Sequence, residues 1–191
     1  MNIGIYIYDQ AEVLDFAGPF EVFSTANRLK AAKPFNVFLV GETGEAITAR
    51  GGFSVNPAYG FDGHPAIQVL IVVGGVHMDE LKKVRVIDWI AKVAKRADLT
   101  ASVCTGAFLL AKAGVITSQL VTTHWEDIPD LRTAYPALDV KEDCLWIDQG
   151  KIVTSAGISA GMSMSLHLVE RLDSVVLAIK TARQMEFEWQ P

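Results

Sequence analysis

Cys104 ends one apolar run, Leu99-Thr100-Ala101-Ser102-Val103, and opens another, Thr105-Gly106-Ala107-Phe108-Leu109-Leu110-Ala111-Lys112-Ala113, which Gly114 closes. The first run reads as a short buried strand. The second reads as a helix with Gly114 at its C′ position. A cysteine at such a corner faces the unpaired N–H groups of the helix start, a field that favours thiolate over thiol. A sulfur nucleophile also needs a proton donor or acceptor and donors for developing charge. The backbone N–H of Thr105 and those of Gly74-Gly75-Val76 are candidates for the last task, because glycine lets backbone approach a ligand closely. Asp15, in Val13-Leu14-Asp15-Phe16-Ala17-Gly18-Pro19, is the candidate acid–base group. Apolar neighbours and an adjacent thiolate both disfavour its ionised form and raise its pKa. His124, between the run Leu120–Thr123 and Trp125, can reach the same edge as a base.

Each of these residues also has a plainer reading. A lone buried cysteine is an ordinary core residue. Asp15 can cap a helix entered at Pro19, and Gly74-Gly75 can be a tight turn. Cys144 sits in a hairpin and reads as passive, and His167, between Leu166 and Leu168, as a core or groove residue. His64 and His77 fall in loops, and no pair of histidines has metal-ligand spacing, so no metal is expected. Gly157-Ile158-Ser159-Ala160-Gly161 lacks the glycine spacing and the lysine of a phosphate loop.

The elements that carry these residues alternate between strand and helix. Ile3–Tyr8, Phe35–Val40, Ile67–Val73 and Leu99–Val103 read as strands, with short candidates near Ile47 and Phe53 and at Leu120–Thr123. Pro19 suits a first helical position, with Val22, Phe23, Ala26 and Leu29 on one face. Ile87, Ile90, Ala91 and Ala94 mark a second helix, and Asp127–Tyr135 a short one. Cys144–Asp148 and Lys151–Ser155 flank Gln149-Gly150 as a hairpin. Ala160–Leu172 reads as a buried helix, and Val175, Ala178, Ile179 and Ala182 stripe the last one. This order implies an α/β fold: three layers, with a mainly parallel central sheet and helices on both faces. In such sheets ligands bind beyond the carboxyl ends of the strands. Asp9–Gly18, Gly74–His77 and Cys104-Thr105 all fall there.

The totals narrow the class. The chain has 191 residues, half of them apolar and a fifth charged, which suits a single compact domain spanning residues 1–191. A formal charge of −5 with no Lys/Arg run argues against a nucleic-acid surface. No apolar stretch reaches membrane-spanning length, and the N-terminus has no basic leader, so no membrane role and a cytoplasmic location are expected. Two cysteines are too few for a disulfide framework.

The anchors Leu14-Asp15-Phe16-Ala17-Gly18-Pro19-Phe20-Glu21-Val22-Phe23, Val73-Gly74-Gly75, Ser102-Val103-Cys104-Thr105-Gly106-Ala107, Thr122-Thr123-His124-Trp125 and Thr154-Ser155-Ala156-Gly157-Ile158-Ser159-Ala160-Gly161 together resemble the ThiJ/PfpI superfamily. The set is most similar to its isonitrile hydratase branch, and also to the amidotransferase-like domain of AraC-type regulators. The resemblance implies a flavodoxin-like, class I glutamine amidotransferase-like fold with a nucleophile elbow. It implies a cofactor-free enzyme and a homodimer. In this likeness Cys104 attacks the terminal carbon of an isonitrile, Asp15 moves the proton, and Thr105 orients the site. Thr105 stands where protease-like members carry a histidine, and no Cys-His-Glu triad is in place, which argues against peptidase and glutaminase activity. The DNA-binding helices of the regulators are not expected in this chain. Two other readings remain: glyoxalase- or amidase-type activity on small carbonyl compounds, and a redox- or ligand-sensing module built on Cys104.

Overall fold

The computed structural model describes residues 1–191. Six strands form the central sheet: β1 (Asn2–Tyr6), β2 (Asn36–Val40), β5 (Val69–Val72), β6 (Leu99–Val103), β9 (Trp146–Asp148) and β10 (Ile152–Ser155). Their order across the sheet is β2-β1-β5-β6-β10-β9. All neighbours are parallel except the edge pair β10–β9, which is the antiparallel hairpin expected around Gln149-Gly150. β5 and β6 are buried along their whole length, as strands covered on both faces must be; β5 is apolar throughout, whereas β6 alternates Leu99, Ala101 and Val103 with the small polar residues Thr100 and Ser102.

One helical layer is α1 (Val13–Leu29), α5 (Ala160–Leu172) and α6 (Val175–Gln184), packed on one another. α2 (Val84–Arg96) and α3 (Gly106–Lys112) pack together in the other layer. Small residues set the spacings. A Cβ on Gly18 would lie 2.8 Å from Met162, so glycine lets α1 lie close against α5. A Cβ on Gly106 would lie 2.1 Å from the carbonyl oxygen of Val72, so α3 starts directly against the end of β5. Gly114 follows α3 with φ +68°, the left-handed turn expected of a C′ glycine. No helix is long and apolar enough to cross a membrane.

The sequence expectations need correction at several points, three of which bear on the site. β1 ends at Tyr6 rather than Tyr8. α1 begins at Val13, so Pro19 lies inside the helix, at its seventh residue, and not at its first position. A proline there removes the bond that would return to the Asp15 carbonyl, which loosens the first turn without ending the helix. The third concerns the run Leu120–Thr123, which is cut to β7 (Leu120–Val121) and stands outside the main sheet. It pairs in parallel with β8 (Asp139–Val140), a strand with no clear signal in the sequence. The threonines take over the backbone's partners. Thr122 N–H donates to Thr154 Oγ1 at 2.9 Å, and Thr122 Oγ1 donates to the Lys141 carbonyl at 2.9 Å. Two further short strands, β3 (Ile47–Thr48) and β4 (Ser54–Val55), form a hairpin, and α4 (Ile128–Ala134) follows a 3-10 turn at Trp125–Asp127.

The sheet changes winding direction between β1 and β5, because β1 connects outward to β2 while β5 continues the other way. The loops after β1, β5, β6 and β10 meet above this switch point, which is where open α/β sheets bind ligands.

Candidate functional site

Cys104 follows β6 and occupies the left-handed region with φ +56°. For a residue with a side chain this is a strained conformation that its surroundings must enforce. They do so from both sides of the residue. Its N–H donates to the Ala156 carbonyl at 3.3 Å, and its carbonyl accepts from Thr123 Oγ1 at 2.8 Å. Gly74 leaves room for the corner, since a Cβ there would lie 2.5 Å from Thr105 N and 2.8 Å from Cys104 Cβ. The result is a tight strand-to-helix elbow with the sulfur on its inner side.

Asp15, fully buried in the first turn of α1, lies against that sulfur. It does not cap its own helix. Its carboxylate instead bridges two loops: Oδ2 accepts from Gly74 N–H at 3.0 Å, and Oδ1 accepts from Ile158 N–H at 3.1 Å. Ile158 reaches it with φ +57°, a conformation that a β-branched side chain rarely adopts. Two strained residues thus contact one carboxyl group. Burial pushes the Asp15 pKa up from 3.8 to about 7; the two N–H donors oppose that rise, and Glu12 adds to it.

The thiol does not behave as the corner alone suggests. Burial, and then the Asp15 carboxylate, push the Cys104 pKa well above the usual thiol range, against the smaller opposing pull of the Thr105 N–H. With only seven residues, α3 offers a weak dipole against the loss of water around a sulfur that is 7% exposed. Burial and the neighbouring carboxyl group thus work against the thiolate expected from the sequence.

Thr105 Oγ1 clamps the loop after β5, accepting from Gly75 N–H at 3.0 Å and standing 3.1 Å from the Gly75 carbonyl, to which it donates. The N–H groups expected to stabilise charge are already engaged. Gly74 donates to Asp15, Gly75 to Thr105, and Val76 to the Gln10 carbonyl at 3.1 Å. Of these three residues only Gly75 borders the cavity over the sulfur. Gly75 has φ +139° and its missing Cβ would lie 2.4 Å from the Gln10 carbonyl oxygen, so the loop passes where a side chain has no space.

That cavity has a volume of about 210 Å³ and brings Cys104, Thr105 and Gly75 together with His124, Asp127 and Ile158. His124 therefore shares the cavity with the sulfur, as expected, and it has a partner that the sequence left unidentified: its Nδ1 is 3.3 Å from Asp127 Oδ2. The signal was the i, i+3 spacing of the two residues across the turn at Trp125–Asp127. Gly157 makes room for the imidazole, because a Cβ at Gly157 would lie 2.1 Å from His124 Cδ2. Gly157→Ala is expected to displace His124 and raise KM at least about fivefold in a steady-state assay while shifting the unfolding midpoint little. Unchanged kinetics would show that the imidazole contributes nothing there. His167 lies apart, 2.7 Å from Asp148 and stacked on Trp146, and holds the hairpin to α5. Tyr8 is a residue that sequence reasoning passed over. Its hydroxyl is buried without a hydrogen-bond partner, in the field of Glu80, Asp15 and Cys104, which together with burial holds its proton tightly.

The surroundings of this elbow have counterparts in other proteins. A chain similar to this one is isonitrile hydratase of Pseudomonas putida, 30% identical over an alignment covering all of this chain and 80% of that protein. The HTH-type transcriptional regulator GbdR of Pseudomonas aeruginosa is 28% identical over 89% of this chain. The matched region is 46% of the regulator's own length. The crystal structure of a ThiJ/PfpI family protein from Pseudomonas syringae superposes with a TM-score of 0.87 at 23% identity, over 100% of this chain and 76% of that one. The sequence profile of the DJ-1/PfpI family matches residues 1–171, so the chain belongs to that family.

Proposed function

We propose that this protein is a cysteine-dependent enzyme acting on a small electrophile, and that the reaction is hydration of an isonitrile to an N-substituted formamide. The observation that carries this reading is the Cys104–Asp15 pair. The sulfur stands beside a buried carboxyl group, held by the Gly74 and Ile158 N–H groups, whose pKa burial pushes up to about 7 while burial also pushes the thiol up. An isonitrile carbon must gain one proton and one nucleophile. In the first step the sulfur bonds to the terminal carbon, and the thiol proton passes through Asp15 to that same carbon, giving a thioimidate. Water then adds to the thioimidate carbon, and the nitrogen takes up a proton. Collapse of this adduct forms the carbonyl, breaks the C–S bond and returns the hydroxyl proton to sulfur. The products are the formamide and the original thiol. Thr105 holds the Gly75 loop against the elbow, and the His124–Asp127 pair is placed to orient the water. The 30% identity to an isonitrile hydratase over the whole chain supports the same reading.

The similarity to HTH-type regulators favours a second reading, in which the cavity binds a ligand without turning it over. One experiment separates the two. The protein is incubated with a panel of isonitriles and 2-oxoaldehydes, and products are followed by proton NMR. Formamide that is lost in Cys104→Ser supports hydration. Hydroxy acid instead redirects the assignment to glyoxalase chemistry. Saturable binding with no product leaves the sensing module.

A further inference from the structure

Tyr8 lies just past β1, 3% exposed, with its hydroxyl buried and unpaired. A buried donor without an acceptor is destabilising, so a fold that retains one calls for a reason. Packing supplies none, because phenylalanine would fill the same space. The side chain is fixed in position. Its ring lies on that of Tyr6, with centroids 5.8 Å apart, and its backbone carbonyl accepts from Ala11 N–H at 3.0 Å. The nearby carboxylate of Glu80 is taken: one oxygen accepts from the Tyr6 hydroxyl, and the other is 2.9 Å from Lys83 Nζ. What remains is Thr105, whose side chain is placed to pair with the Tyr8 oxygen. Thr105 has the capacity. A hydroxyl offers one proton and two acceptor sites. The Gly75 carbonyl takes the proton and the Gly75 N–H fills one acceptor site, which leaves the second open. Thr105 borders the cavity over Cys104, whereas Tyr8 stands behind it.

We propose that Tyr8 is a positioning residue for the chemistry at Cys104: its O–H moves onto the open acceptor site of Thr105 when the Thr105 proton turns from the Gly75 carbonyl to an acceptor atom in the cavity. The inference rests on the reading of this cavity as the place where Cys104 meets its substrate. In the isonitrile scheme the acceptor atom is the nitrogen of the thioimidate. Tyr8 gives a hydrogen bond and keeps its proton, because burial and then the Glu80 carboxylate hold the phenol in its neutral form. A hydroxyl that accepts one hydrogen bond donates a stronger one. The Tyr8–Thr105 bond is unmade before the substrate arrives and forms as the reaction proceeds. It therefore stabilises the transition state more than the bound substrate, and acts on kcat rather than KM.

Tyr8→Phe keeps the ring and removes the hydroxyl. It should leave the unfolding midpoint equal to or above that of the native chain, because an orphaned donor is lost. With an isonitrile that is turned over, kcat should fall about tenfold, the worth of one hydrogen bond, and KM should stay within about twofold. The loss should recur in Thr105→Ser, which keeps a hydroxyl, and vanish in Thr105→Val, which has none. An unchanged kcat, or a fall that persists in full in Thr105→Val, overturns the proposal. A second measurement does not depend on turnover. Cys104 of Cys144→Ser protein is alkylated with iodoacetamide, which sets a carboxamide in the cavity. Tyr8 is followed by NMR through an isotope label at tyrosine Cζ, its line assigned by its absence in Tyr8→Phe. The line should move on alkylation, and stay in place when residue 105 is changed by Thr105→Val. A line that does not move, or that moves equally in Thr105→Val, overturns the proposal. Absence of isonitrile turnover in every variant removes the hydration reading and leaves the NMR response to decide on Tyr8.

Discussion

Cys104→Ala is expected to abolish turnover, lowering kcat/KM roughly a thousandfold or more, because it removes the sulfur that forms the proposed covalent adduct. The fold should survive. The left-handed conformation at position 104 is imposed by backbone bonds to Ala156 and Thr123, and alanine keeps both. Removing one buried sulfur costs about 1 kcal/mol of packing. The paired measurement is therefore initial rate and thermal midpoint on the same preparation. Full activity in a folded Cys104→Ala protein would rule out covalent catalysis at this site. A collapse of the midpoint by tens of degrees would assign the residue to the core.

Asp15→Asn should lower kcat/KM by about a hundredfold or more, the usual contribution of a positioned acid–base group. Its pH behaviour carries more information than the rate itself. In the folded chain Asp15 holds its proton up to about 7, against an ordinary 3.8. The native protein should therefore lose the proposed activity as pH rises through that value, because the proton-bearing form is depleted, and the asparagine variant should lack this limb. Stability follows the same sign. Between 3.8 and about 7 the unfolded chain binds fewer protons than the folded one. The folded state is thus fully stabilised below the lower value and loses stability as pH rises through the upper one, by about 4 kcal/mol when ionisation is complete. Denaturation midpoints measured across this range should slope downward for the native chain and stay level for Asp15→Asn. The variant should also be less stable at low pH, because an amide presents one acceptor oxygen where the carboxyl group presents two oxygens to the Gly74 and Ile158 N–H groups. Alkylation of its Cys104 should be faster, since the carboxylate that opposes ionisation is gone. A rate and pH profile unchanged from the native enzyme would leave Asp15 as a clamp between two loops.

The parts of this site that could be read from the sequence are those set by local pattern. The apolar run to Val103, the corner at Cys104 and the glycine at 114 fixed the elbow to the residue, and α5 has the bounds expected of it, Ala160–Leu172. Burial depth is not local. The helix start after Cys104 suggested a thiolate, but how much water the sulfur loses depends on α1 and on the loop after β10, which lie far away in sequence. The N–H groups of Gly74, Gly75 and Val76 looked free for the same reason, since their acceptors are on Asp15, Thr105 and Gln10. The threonines at 122 and 123 resembled strand residues until their hydroxyls were seen to bond to Lys141 and Cys104. Pro19 carried a helix-start signal that was outweighed by the anchoring of the preceding turn through Asp15.

The bond between Ile158 and Asp15 joins residues 143 positions apart. It has a consequence for how the protein acquires its chemistry during folding. β1, β5 and β6 and their helices can assemble as soon as the first two-thirds of the chain is available, and they already contain Cys104, Asp15 and Thr105. That intermediate lacks the N–H from Ile158 and the carbonyl of Ala156, both of which arrive only when β10 docks beside β6. Non-local parallel pairing of this kind is a slow step. A nascent chain would thus hold these three side chains in a partly open elbow, which closes only when docking of the last interior strand brings in the Ala156 carbonyl and the Ile158 N–H. The finished geometry of the site is in this sense a report on the completion of the sheet.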